Sequence, residues 1–349
     1  MVTTIRDVAR EAGVSVATVS RVFNDSGPVR AETRRRIREV AARLRYAPNS
    51  AARTLSTRRT QTVGVLLPDL YGEFFSEVIR GIDQVVQQRS WHLLVSCSHD
   101  ERSEIEAALR AMRGRVDGLI VMSPDLDEHR LMRNLPETLP VVLLNCEVAD
   151  RRFDSLNIDN RGGAYAVVAH LLGLGHRRIG LITGPERNHD ARERLRGARE
   201  ALVGAGIAPA PELEIAGDFS ESSGHRAVLE LLALDDPPTA VFAANDSMAI
   251  GALSALGERG VHVPEQMAVT GFDDIPIARY VSPPLTTVRV SIPELGGRAV
   301  RRLFEAIEAG PSHERQQERL ATTLVVRRSC GAMSQAHVRR SSDIETYAN

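Results

Sequence analysis

Arg21 lies in the run SVATVSRVFN with Ala17 four residues before it, a helical spacing that sets both side chains on one face. An outward guanidinium there can donate two parallel hydrogen bonds to a guanine edge, and the hydroxyls of Ser15, Thr18 and Ser20 suit phosphate oxygens. A second set of chemistry-bearing residues follows short apolar runs later in the chain. It comprises Asp69, Phe74 and Phe75, then Asn145, then Asn188, Asp190, Arg192 and Arg194, then Phe219, Asn245 with Asp246, and Asp273 with Asp274. Carboxylates and guanidiniums pair with vicinal hydroxyls, and an aromatic face covers the apolar side of a ring, so this is binding chemistry for a polyhydroxylated or heterocyclic ligand. There is no HExxH, no GxSxG and no GxGxxG after a strand, and the ten His show no metal-ligand spacing. No enzyme activity, metal or cofactor is expected.

Arg21 needs a scaffold, and Thr4–Asn24 supplies one as two short helices around a tight turn. Ile5, Val8, Ala9 and Ala12 fall on one helical face, and Thr4 with Asp7 forms a capping signal. Gly13 ends the first helix and Ser15 caps the second, in which Val19, Val22 and Phe23 face inward. Two helices about a glycine turn with an outward Arg match the helix-turn-helix that enters a DNA major groove. A third helix over 31–44 buries Ile37, Val40, Ala41 and Leu44, leaving Arg34, Arg35, Arg36 and Arg38 as phosphate contacts or solvated charge. Residues 1–60 hold 13 Arg against five acids, whereas the remainder holds 31 against 40, so a polyanion is expected at one end only.

From Thr62 the pattern becomes β-branched strands alternating with amphipathic helices. Strands are predicted at 63–67, 93–97, 118–122, 141–145 and 156–159, then at 179–183, 214–217, 240–243, 268–272, 285–288 and 322–326. Helices are marked by Val78, Ile82, Val85 and Val86, by Ile105, Leu109 and Met112, and then over 164–172, 195–202, 227–232, 249–256 and 295–307. Two such series imply two parallel α/β lobes with a cleft where the loops after the strands converge. Asp246 is read as a helix cap, His176 as a satisfied turn residue and Trp91 as core.

The 349 residues fit a small module and two larger ones. The chain has no lysine, which removes phosphate-loop, Schiff-base and kinase lysines together. Cys97, Cys146 and Cys330 read as buried thiols of a reducing compartment. The chain start lacks a signal-peptide core and no apolar run approaches about 18 residues, so a cytoplasmic protein without membrane contact is expected.

The segment AxxAGVSxxTVSRVxN resembles the head of the lactose-repressor (LacI/GalR) family of bacterial transcription regulators, and the order of motifs is similar down to about Ser329. The resemblance implies a small all-α helix-turn-helix head plus an α/β body of two Rossmann-like, periplasmic-binding-protein-like lobes joined by three crossovers. It places the head at 1–46, a hinge helix or linker at 47–60, the N-terminal lobe at 61–160 and 291–319, the C-terminal lobe at 161–290 and 320–333, and a disordered tail at 334–349. Val16, Ala17 and Arg21 match the family's base-contacting trio, a core role being the alternative for Val16. Thr4, Ser15, Thr18, Ser20 and Asn24 complete the expected DNA face. Pro48–Thr57 would be at most about two turns and mostly unfolded alone. In the family this segment orders on the operator, with Asn49 as its cap, Ala52 on its apolar face and Leu55 wedged into the minor groove.

In the body, Phe74, Arg194, Asn245 and Asp273 match ligand-contacting positions in PDLYGEFFSEV, TGP with RxxG, ANDxMAxG and GFDD. Asp69, Asn145, Asn188, Asp190 and Phe219 complete the ligand-binding set. Val290 departs from the family, which commonly has Gln in LTTVRQP. The implied protein is a homodimeric regulator, most simply a repressor, on a double-stranded, pseudopalindromic operator, with a sugar or sugar derivative as effector. A purine corepressor, a protein coregulator, or a sugar-binding receptor without a regulatory role are the alternatives.

Overall fold

The computed structural model describes residues 3–24, 27–46, 59–98, 102–123, 133–134, 138–146, 152–208 and 210–332. They divide into two compact units, one holding the head helices and the other the α/β body. The head consists of α1 (Ile5–Glu11), α2 (Val16–Asn24) and α3 (Ala31–Arg43). Its separate core is Val8, Ala9, Ala12, Val19, Val22, Ile37, Val40 and Ala41, with Phe23 and Leu44 packed at its margin. Asp7 accepts hydrogen bonds from both the Thr4 amide, at 3.0 Å, and the Thr4 hydroxyl, closing the expected capping box. Gly13 takes φ +59°, and the Val14 amide reaches back to the Ala9 carbonyl at 3.0 Å, a turn that a residue with a Cβ adopts only under strain. Ser15 Oγ then accepts the Thr18 amide at 3.1 Å and starts α2.

In the body, β1 (Thr62–Leu67), β2 (His92–Cys97), β3 (Gly118–Met122), β4 (Val141–Leu144), β5 (Asp154–Ile158) and β11 (Gln317–Leu320) form one sheet in the order β11-β5-β4-β3-β1-β2. A second sheet runs β7-β6-β8-β9, from β6 (Ile179–Thr183), β7 (Glu214–Ala216), β8 (Ala240–Ala243) and β9 (Ala268–Thr270). Both are parallel across the pairs β1/β3, β3/β4, β4/β5, β11/β5, β6/β7, β6/β8 and β8/β9. Strands buried on both faces read as continuous apolar runs, as GLIVM and AVFA do. β10 (Thr287–Arg289) and β12 (Thr323–Val325) form a separate antiparallel ribbon. The helices are α4 (Glu73–Gln88), α5 (Arg102–Met112), α6 (Asn160–Gly173), α7 (His189–Gly204), α8 (Glu221–Leu232), α9 (Asp246–Glu258) and α10 (Ile292–Ala309).

In each sheet the strand order reverses beside the first strand, between β1 and β3 and between β6 and β8. Open α/β sheets bind ligands outside the carboxyl ends at such points. Several elements differ from their predicted extents. β11 is not predicted at all: QERL has only Leu320 buried, because an edge strand needs no apolar face to complete its ladder. β5 starts at Asp154 and β10 runs over Thr287–Arg289, each displaced from the apolar run that suggested it. α6, α7 and α8 begin at polar first turns capped by Asp159, Asn188 and Ser220, which hydrophobic periodicity does not register. Cys146 and Cys330 are buried, but Cys97 is only half-buried. The expected hinge residues 47–58 and the tail from 333 lie outside the described residues.

Helices α8 and α9 cross at backbone contact. A Cβ on Gly224 would fall 2.0 Å from the Met248 carbonyl oxygen, and one on Gly251 1.9 Å from the Glu221 carbonyl oxygen. Gly257, on the same helix as Gly251, has no atom within 4 Å of that position. Gly251→Ala is therefore expected to lower stability by about 1–3 kcal/mol through overpacking. Gly257→Ala should raise it by up to about 1 kcal/mol, through helix propensity alone. Urea unfolding of the two variants checks this; equal effects would mean the crossing is not in backbone contact.

Candidate functional site

The head presents its expected reading face to solvent. Val16 is 41% exposed, which places it outside the core and leaves its outward reading open. Ala17 and Arg21 are exposed beside it, as are Thr4 and Ser15, with Thr18 half-buried. Ser20 Oγ accepts a hydrogen bond from Asn24 Nδ2 at 3.1 Å, so these two hydroxyl and amide groups orient each other. Ser15 and Thr18 hydroxyls are likewise paired, at 2.9 Å. On α3 the buried stripe leaves Arg35, Arg36 and Arg38 exposed, with Arg34 half-buried. Asn49, Ala52 and Leu55 lie outside the described residues.

In the body the geometry converges on one buried guanidinium. Arg194, on α7, is 4% exposed. Its Nε donates to Asn160 Oδ1 at 2.8 Å, its Nη1 to the Ala244 carbonyl at 2.6 Å, and its Nη2 lies 3.0 Å from Asp273 Oδ1. Its Cζ sits 3.9 Å above the Phe272 ring centroid, a cation–π contact on its remaining face. Asn160 also donates, through Nδ2, to Asp190 Oδ1 at 2.8 Å. Arg194 and Asp190, four apart on α7, thus share one neighbour. Asn145, at the end of β4, comes close enough to Asp190 for its amide to favour the ionised carboxylate. Even so, Asn145 Oδ1 and Nδ2 and Asp273 Oδ1 make no hydrogen bond of ordinary geometry although they are buried. A polar atom so placed costs about 1–3 kcal/mol unless something bonds to it.

The backbone is strained at the same place. Asn145, Phe219, Asp273 and Asp274 have φ of +49°, +71°, +107° and +56°, four of the seven non-glycine left-handed residues among those described. Electrostatics follow from burial. Asp273 is pushed up to about 6 by desolvation, opposed by Arg194 and reinforced by Asp190. Burial also raises Asp190 against the pull of Arg194. Asp246 rises well above the ordinary range, through burial and then the charge of Asp273. Cys146, beside the cluster, is pushed up to about 12 by burial and is inert as a nucleophile.

Of the predicted ligand residues, the structure brings together Asn145, Asp190, Arg194 and Asp273. Three others give their polar atoms to the backbone. Asn188 caps α7 through the Ala191 amide at 3.0 Å, Asn245 caps α9 through the Met248 amide at 2.9 Å, and Asp69 accepts the Leu70 and Tyr71 amides. Asn245 also donates to the Phe219 carbonyl at 2.9 Å. Phe74 is half-buried edge-on to Phe75, with ring centroids 5.5 Å apart, and Phe219 is half-buried against Gly184. Asp246 is not the cap expected of it: Asn245 is, and the fully buried Asp246 carboxylate accepts the Ile275 amide at 2.9 Å and the Thr287 hydroxyl. Asn160 and Phe272, which complete the Arg194 shell, are missed by the sequence reading; an Asn directly after a strand was the available signal for the first. Val290 is buried at the crossover, its amide on the Asp273 carbonyl at 3.2 Å. Among the described residues no group of His, Cys, Asp or Glu converges to hold a metal, and no helix is long and apolar enough to cross a membrane.

Residues 4–49 match the lacI family of bacterial regulatory proteins, and residues 168–330 a periplasmic binding protein-like domain. The chain is 34% identical over 329 residues to the HTH-type transcriptional repressor PurR of Pasteurella multocida (strain Pm70), covering 93% of this chain and 98% of that one. Among solved structures it is similar to the Lac repressor dimer bound to operator and the anti-inducer ONPF, with TM-score 0.83, 31% identity, and coverage of 95% of this chain and 99% of that one. The transcriptional regulator CelR–cellobiose complex gives TM-score 0.71 and 32% identity, covering 94% and 99%. The chain belongs to the LacI family of bacterial transcription regulators, with a helix-turn-helix DNA-binding head and an effector-binding α/β body.

The raised Asp273 carboxyl has a direct consequence for stability. Below about pH 4 it is protonated folded or unfolded, and contributes no pH dependence. Between about 4 and about 6 the unfolded chain releases its proton first, so rising pH lowers stability; above about 6 the penalty is constant. The unfolding free energy of Asp273→Asn minus that of the wild type should therefore rise from pH 4 to 6 and then level off. A flat or falling difference in urea titrations refutes the assignment.

Proposed function

We propose that the protein is a homodimeric, cytoplasmic, non-enzymatic repressor that binds a pseudopalindromic double-stranded operator and responds to a sugar or sugar derivative held between its lobes. The observation that carries the reading is the exposed trio Val16, Ala17 and Arg21 on a capped second helix in an Arg-rich head. Arg21 suits guanine O6 and N7, and the two smaller side chains offer methyl contacts. A relative named a repressor and a similar chain solved as an operator-bound dimer support this assembly.

For the effector, the Arg194–Asp273 pair with Asp190 and the unbonded Asn145 amide favours a ligand rich in hydroxyls, each able to donate and accept at once. The cellobiose complex of a similar chain points the same way. A purine corepressor is the second reading, because an Asn amide with both atoms unbonded also matches a purine edge. The proposed domains are the head at 1–46, the hinge at 47–60, the lobes at 61–160 with 291–319 and at 161–290 with 320–333, and the tail at 334–349. Residues Asn49, Ala52 and Leu55 would order the hinge on DNA, and effector binding would shift that equilibrium by a coupling of about 1–3 kcal/mol per dimer.

Arg21→Ala is expected to weaken binding to a duplex selected from a random library by about 1–3 kcal/mol, roughly 5- to 150-fold. Leu55→Ala should weaken the same complex and leave effector affinity unchanged. Arg194→Gln should abolish the thermal shift given by the best of a panel of sugars, polyols and purines while the operator is still bound. A selected duplex that binds Arg21→Ala as tightly as the wild type sinks the proposal.

A further inference from the structure

Away from the Arg194 cluster, the body has a cavity of about 460 Å³ between α4, the segment 274–279 and the first turn of α10. That volume is in the range of small-ligand sites. Four residues with guanidiniums line it, Arg80, Arg279, Arg289 and Arg301, together with the acids Glu77, Asp274 and Glu294. The carboxylates are more than answered. Glu77 is held by Arg80, Glu294 by both Arg298 and Arg301, and Asp274 by both Arg289 and Arg327. Five guanidiniums thus serve these three carboxylates, one of them, Arg298, shared with Glu318. Arg279 has no carboxylate among the described residues and rests only near the Tyr280 ring, 5.9 Å from its centroid. The start of α10 adds the positive end of an 18-residue helix, whose Ser291 makes no side-chain cap.

We propose that this cavity binds a small dianion, of the phosphate class, through Arg279 and Arg301. It is a site separate from the Arg194 cluster and independent of what that cluster binds. A guanidinium donates paired hydrogen bonds to a tetrahedral oxyanion, and a dianion would balance the uncompensated charge of these walls. The two sites stand back to back. The consecutive left-handed residues Asp273 and Asp274 serve different partners, one Arg194 and the other Arg327 and the cavity-lining Arg289. The walls come from both lobes and the crossover between them, so an occupant touches every part that moves when the lobes do.

The test is calorimetric titration of the full chain with inorganic phosphate, against chloride at matched ionic strength. Phosphate-specific binding is expected, weakened at least tenfold by Arg279→Gln and at least threefold by Arg301→Gln, and within twofold of wild type in Arg194→Gln. Both cavity residues are solvent-exposed, and unchanged melting temperatures would certify the fold of their variants. No phosphate-specific heat overturns the proposal. So does binding that survives Arg279→Gln, or binding lost in Arg194→Gln, which would place the anion in the other cluster. If phosphate does not bind and Arg279→Gln instead shifts the monomer–dimer equilibrium in sedimentation, the cavity is a face between copies of the chain and the proposal fails.

Discussion

A guanidinium sealed inside a protein must have its charge and its N–H donors answered, and the body is arranged around that requirement at Arg194. Its partners come from three separate places: Asn160 at the start of α6, Ala244 at the end of β8, and Phe272 with Asp273 after β9. Each must arrive in register for the charge to be tolerable. Asn188 and Asn245 contribute one step removed, because their caps fix where α7 and α9 begin and so where Arg194 and the Ala244 carbonyl point.

Strained backbone also collects after β9, where Asp273 and Asp274 are both left-handed and serve different cations, Arg194 for the first and Arg289 with Arg327 for the second. The Asp273 amide donates to the Val288 carbonyl at 2.8 Å, and its carbonyl accepts the Val290 amide. The crossover is therefore stitched to the very residues that face the guanidinium. Chemistry in the cleft and geometry of the connection between lobes are one structural problem here.

The sequence was most legible where a pattern is local. The Thr4–Asp7 cap, Gly13 and Ser15 announce α1 and α2, since each acts within one turn of itself. Doubly buried strands such as GLIVM and AVFA declare themselves by continuous apolar character. Arg194 and Asp273 were found because their motifs carry them. What escaped depends on distant partners. Asn160 matters only because α7 delivers Arg194 and Asp190 to it, and Asp246 is buried rather than capping because Thr287 and Ile275 come from beyond β9. β11 escaped because its pairing with β5 is made by backbone groups, to which side-chain identity is nearly indifferent.

Across the rim of the cleft the two lobes meet through exposed polar contacts. Tyr71 donates to Glu221 at 3.3 Å, a carboxylate also bonded by Ser247, and the Ile277 amide donates to Glu73 at 3.0 Å. Bonds of this kind contribute about 0.5–1.5 kcal/mol each, and water replaces them readily. The rim is thus a weak clasp over a strong floor. Parting the rim is cheap beside unsealing the buried guanidinium, so a small opening strain separates Tyr71 from Glu221 and Ile277 from Glu73 before it disturbs Arg194.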